Sequence, residues 1–179
     1  MKEYPLFIPP AGISEKVPEE WSRDEAKQYF KWLLGVLEDR TSFLVGYFGQ
    51  DLSTPADQLL KRLGEKVVGA LQSDVFVKRD PEVKLTSAGF ALAADMGLLV
   101  ARLLLADPSA NVKWVLEKAK RHVDYNLPVL KGDSKLTFNP IRVSTVGVLR
   151  ALENTSGADT EFWLKSYLYW QNTFSSEAT

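Results

Sequence analysis

Trp114, Lys118, Arg121 and Tyr125 recur at intervals of four, three and four residues, the spacing that stacks side chains in one row along an α-helix. Two cations bracketed by two aromatic rings make a candidate surface for an acidic protein partner: the cations supply charge, and the rings supply rigid contact area and cation–π faces. The local charge agrees, because residues 107–150 hold eight Lys and Arg against four Asp and Glu, whereas residues 1–51 hold six against nine. The competing reading is packing. A neighbouring helix would cover Trp114, and the stems of Lys118 and Arg121 would lie over the remaining ring surface.

A second set is Arg40, Asp95, Arg102 and His122. Asp95 and Arg102 are seven residues apart and share a helix face, and Arg40 falls on an apolar stripe between Leu37 and Leu44. Burying an unpaired guanidinium costs on the order of several kcal/mol, so Arg40 calls for an acceptor and Asp95 is the natural one. The bland expectation for Asp95 and Arg102 is a narrow stripe that looks outward to water. The sharper one is a polar site between helices, built from these four residues, that pairs charges or takes a small molecule.

Most other chemistry lacks its residues. There is no cysteine, which removes disulfides, thiolate metal sites and cysteine nucleophiles and fits a reducing compartment. His122 is the one histidine, and no HExxH, ExxH pair or EF-hand loop exists, so neither a metal nor a cofactor is expected. GxxxxGK[ST], GxGxxG and GxSxG are all missing. On a helix, Asp124 would lie about 200° round from His122, which leaves an ordinary, partly exposed histidine. The acidic doublets Glu19-Glu20, Asp24-Glu25 and Glu38-Asp39 read as helix N-terminal or solvated charge.

These residues need elements to position them, and the sequence reads as a series of helices. Prolines 5, 9, 10 and 18 keep residues 1–20 extended, with Leu6, Phe7 and Ile8 pinning them to the body. Ser22 and Glu25 form a capping box, with Trp21 before it, for a helix over 22–49. Thr54 and Pro55 start a helix over 55–73, and a short strand fits Val75–Val77 before Asp80-Pro81. Residues 86–106 are apolar nearly all round, as in the middle of a bundle. Further helices are expected over 108–126, 140–153 and 160–174, the last two separated by "ENTSGAD". In the final helix Trp163, Tyr167, Trp170 and Phe174 form a row read as core closure, since large exposed apolar patches are uncommon.

The class that follows is all-α: one domain over residues 1–179, an irregular bundle of about six helices with an extended N-terminal lead-in. At 179 residues such a chain buries about 70% of its unfolded surface. A net charge of −1 gives no global attraction to nucleic acid or acidic membranes, and a local basic patch is too small a footprint for a nucleic-acid binder. The longest uncharged run is eleven residues, below the roughly 20 of a membrane span, and no export signal is read, so the expectation is a cytoplasmic protein. The functional expectation is a non-enzymatic protein that binds another protein, as an immunity protein, adaptor or regulator does, with homo-oligomerisation left open. The alternative is a ligand-binding or enzymatic bundle using Arg40, Asp95, Arg102 and His122. Purified protein is expected to carry no stoichiometric transition metal and to bind no ATP; metal analysis finding one zinc per chain, or calorimetry finding micromolar ATP binding, would overturn this class.

Overall fold

A computed structural model describes residues 3–153 and 159–175. The first two residues of the expected lead-in and most of the "ENTSGAD" stretch lie outside them. Residues 3–21 are extended apart from turns and a single 3-10 turn at Pro18–Glu20. Helix α1 spans Arg23–Tyr47. The Ser22 hydroxyl accepts the Glu25 N–H and the Glu25 carboxylate accepts the Ser22 N–H, so two N-terminal donors are satisfied reciprocally. Lys16, first of all, and the Ser22 N–H together hold the Glu25 carboxyl down at about 2.

Helix α2 spans Ala56–Ala70. Pro55 sits at its N-cap with no side-chain cap, so Thr54 does not play the capping role that its type suggests. Strands β1 (Val77–Lys78) and β2 (Lys84–Leu85) pair antiparallel around a turn containing a cis Asp80–Pro81 bond. Helix α3 spans Ser87–Ala106, with the Thr86 hydroxyl accepting the Gly89 N–H. It packs against α1 and against two later helices, α4 (Pro140–Glu153) and α5 (Phe162–Ser175), and α5 also packs on α2. Thirteen of the residues of α3 are buried, which explains a composition apolar on every side. By length and composition α3 could also cross a membrane, with a mean hydropathy of 1.8, but 72% of its apolar stretch is buried inside the protein, as in the central helix of a globular core.

The largest departure from the sequence reading is at 108–126, which is not a helix. Lys113–Leu116 form β3, which pairs antiparallel with β4 (Pro128–Lys131), and β4 pairs with β5 (Thr137–Phe138). The protein is therefore helix-rich rather than all-α, with five α-helices and two small antiparallel sheets among the described residues. The physical reason is that the Trp-Val-Leu run of β3 suits a pleated surface and finds a partner across the hairpin. Asn126 adopts φ 65°, a left-handed conformation that no continuous helix accepts and that asparagine tolerates. The Glu117 N–H then donates to the Leu127 carbonyl and the Asn126 N–H to the Glu117 carbonyl, closing the hairpin.

Two contacts set how closely the helices approach. A Cβ built on Gly97 of α3 would lie 2.3 Å from the Pro140 carbonyl oxygen, so α4 starts against bare backbone there. In the same way Gly64 of α2 meets the Thr160 carbonyl, just before α5. On α5, Trp163, Tyr167 and Phe174 are buried, and Trp170 stacks between Phe138 and Phe174 with centroids 4.8 and 5.2 Å away. The aromatic row closes the core. The Trp163 indole N–H also donates to buried Ser144 Oγ at 2.8 Å, joining α5 to α4. Trp163→Ala is expected to cost about 3–5 kcal/mol, as large buried aromatic truncations do. A thermal melt checks this, and a melt unchanged from wild type would mean that α5 contributes no closing face.

Candidate functional site

Asp95 lies in the middle of α3 and is wholly buried. Its carboxylate meets the Arg40 guanidinium in a two-point contact, with Nε on Oδ1 and Nη2 on Oδ2, the latter at 2.8 Å. The Tyr4 hydroxyl donates to Oδ2 at 2.7 Å. Arg40 gives two further N–H groups to main-chain oxygens of the lead-in, Leu6 at 2.9 Å and Pro5 at 3.1 Å, and its Cζ lies 5.1 Å from the centroid of the Phe7 ring. Desolvation pushes the Asp95 carboxyl above its ordinary value, against the opposing pull of Arg40 and then Tyr4. Burial likewise raises the Tyr4 hydroxyl, which stays a donor. Tyr4 itself stands edge-on to Phe43, Tyr47 and Phe76 with centroids 5.1–5.5 Å away.

The structure thus joins Arg40 to Asp95, but it does not gather the other two residues there. Arg102 pairs with Glu38 at 2.6 Å and donates to Thr41 Oγ1 at 2.7 Å, making a separate link between α3 and α1. The stripe shared by Asp95 and Arg102 faces α1, not water. His122 is elsewhere, in the turn between β3 and β4. Its Nδ1 accepts the Asp124 N–H at 3.2 Å and its Nε2 lies 3.5 Å from Thr137 Oγ1. The four residues therefore occupy three separate places.

The outer row is also rearranged, since the helix that would have aligned it is absent. Trp114 is on β3, packs against the clusters around Leu33, Leu37 and Leu98 and around α3, and its buried indole nitrogen has no hydrogen-bond partner among the described residues. Lys118 and Arg121 are exposed on the turn, and Tyr125 is half-buried. Lys118 and Tyr125 come together with Arg23, Leu116 and Asn126 around a cleft of about 260 Å³. The turn is well ordered by its own bonds. The Glu117 carboxylate accepts the N–H groups of Lys118 and Ala119 at 2.8 and 2.9 Å, and Asn126 Nδ2 donates to the carbonyls of Pro18 and Trp21.

One constellation has no counterpart in the sequence reading. Asp124, wholly buried, accepts from Asn139 Nδ2 at 2.7 Å and from Arg142 Nη2 at 2.9 Å. Asn139 Oδ1 at the same time accepts the Arg142 N–H at 3.0 Å, capping the start of α4. An Asn directly before the Pro that opens a helix was a readable cap signal, but nothing local pointed to the acid fifteen residues earlier. Among the described residues, no group of three or more metal-ligating side chains is assembled.

Arg40→Ala leaves the Asp95 carboxylate buried with one donor, and removing one partner of such a pair costs about 3–5 kcal/mol. Tyr4→Phe removes one hydrogen bond to a charged group and should cost about 1.5–3 kcal/mol. Denaturant melts check both values, and two melts matching wild type would show that the pair is dispensable. No family model matches this chain, and neither does any curated protein or solved structure in the comparisons.

Proposed function

We propose that this protein works by binding an acidic segment of another protein at the turn between β3 and β4. One observation carries the reading: a single cleft lined by Arg23, Lys118, Tyr125 and Leu116. Two cations offer charge, a half-buried tyrosine and a leucine offer an apolar floor, and a segment carrying Asp or Glu beside a large apolar side chain suits both. Lys120 and Arg121 extend the basic surface along the turn. The bonds that fix the turn support the reading, because a surface already ordered loses little conformational freedom on binding. Relative to the outer row read from the sequence, Lys118 and Tyr125 stay in the contact, Arg23 joins it, and Trp114 becomes a supporting core residue.

The alternative built on Arg40, Asp95, Arg102 and His122 has less support. Arg40 and Asp95 bond each other and the lead-in, Arg102 is paired on α1, and the clefts lined by Gly147, Asn111, Tyr29 and Arg23 include none of these side chains.

The test uses a fluorescent peptide alternating Glu with Phe, and its Lys-for-Glu counterpart. The acidic peptide should bind, more weakly as salt rises, and the basic one should not. Arg23→Glu together with Lys118→Glu should weaken binding at least tenfold while changing stability by less than about 0.5 kcal/mol, as exposed substitutions do. Equal binding of the two peptides, or binding unaffected by the double substitution, sinks the proposal.

A further inference from the structure

A second cleft, of about 170 Å³, opens beside the basic turn and is lined by Tyr29, Leu127, Pro128, Asn139, Ile141 and Arg142. Its walls are largely hydrocarbon and ring, and it holds one cation. The Arg142 side chain is 42% exposed, yet it is anchored at both ends, since Nη2 donates to buried Asp124 and the backbone N–H donates to Asn139 Oδ1. Among the described residues Asp124 is the one acceptor of the guanidinium, which leaves Nε–H, Nη1–H and one N–H of Nη2 unused. Asp124 is itself held by Asn139, which fixes the carboxylate that aims the guanidinium. This is a positioned fork with unused donors at the lip of an apolar hollow.

The geometry points to a binding site for a small carboxylate on an apolar body, with the carboxylate on the free donors of Arg142 and the body against Leu127, Pro128, Ile141 and Tyr29. The unused N–H of Nη2 runs parallel to a neighbouring N–H of the guanidinium, and such a pair matches the two oxygens of a planar carboxylate, which a lysine could not do. A single fork already facing one acid suits a monoanion better than a phosphate dianion. Asp124 balances the charge of Arg142 before the ligand arrives, and His122, with Nδ1 3.7 Å from Asp124 Oδ2, is the other titratable group facing that carboxylate. The site goes beyond the partner surface proposed above and shares no residue with it. The acid could be a free metabolite-sized molecule or the C-terminal carboxylate of a peptide; the chemistry is common to both.

Two-dimensional NMR titrations of the full chain with benzoate, isovalerate and benzamide test it, with an amidated and a free-acid dipeptide ending in leucine as further arms. Benzoate and isovalerate should shift the Arg142 Nε and Tyr29 signals with millimolar or tighter affinity, and benzamide should not. Tighter binding of the free-acid dipeptide than of benzoate assigns the carboxylate to a chain terminus, and the reverse assigns it to a free acid. Arg142→Gln should weaken binding at least tenfold. Ile141→Trp should abolish it by filling the hollow while the Arg142–Asp124 contact stays in place, so it decides the matter even where Arg142→Gln fails to fold. The double variant Arg23→Glu, Lys118→Glu should bind the acids as wild type does, which separates this site from the partner surface. Equal binding of acid and amide, undiminished binding in either cleft variant, or no acid binding at about 10 mM overturns the proposal.

Discussion

A carboxylate wholly inside the central helix is the constraint around which this fold is arranged. Asp95 sits where α3 is otherwise apolar on all sides, and an ionised group there is tolerable only with donors on both oxygens. One set comes from α1 through Arg40, and one comes from the lead-in through Tyr4. Meeting those demands fixes the rotation of α1 about its axis, its height along α3, and the path of the chain before it. The Arg102–Glu38 link is a second tie between the same two helices. Apolar residues in place of the pair could match its stability, so the pair's presence is not by itself a measure of how stable the fold is.

Asp124 solves the same problem with a different outcome. It too is wholly buried and held by an amide and an arginine, and it ties the β3–β4 turn to the start of α4. Around Asp95 the arginine is enclosed, with 12% of its side chain exposed and two further N–H groups taken by main-chain oxygens. Around Asp124 the arginine is nearly half in solvent, and it stands over a hollow. The first network spends most of its hydrogen-bonding capacity inside the protein. The second leaves some facing outward, and the proposed acid site rests on that difference.

What could be read from the sequence was whatever depends on near neighbours. The Ser22–Glu25 box, the stripe of α1, the apolar run of α3 and the aromatic face of α5 all come from residues within a few turns of one another. The Arg40–Asp95 pair was legible for another reason: a charge on a buried stripe creates a need, and few acids could meet it. The segment 108–126 failed because Val112, Leu116, Ala119 and Val123 keep helical spacing by coincidence, while β3 is decided by its pairing with residues 128–131. Asn126, Leu127 and Pro128 together were a turn signal, and the left-handed Asn126 follows from it. The Asp124–Asn139–Arg142 cluster joins a turn to a helix start across a strand and a hairpin, and no periodicity links residues so placed.

Arg40 grips the lead-in by the carbonyl oxygens of Pro5 and Leu6, and not by their side chains. Positions 5 and 6 are thus free to drift in evolution as long as the backbone keeps its extended path, and only Tyr4 must keep its hydroxyl. Distant relatives would then share no contiguous stretch at this end of the chain. They would share three residues separated by 36 and 55 positions, a tyrosine, an arginine and an aspartate. A pattern of that kind is invisible to short motifs and plain in three dimensions.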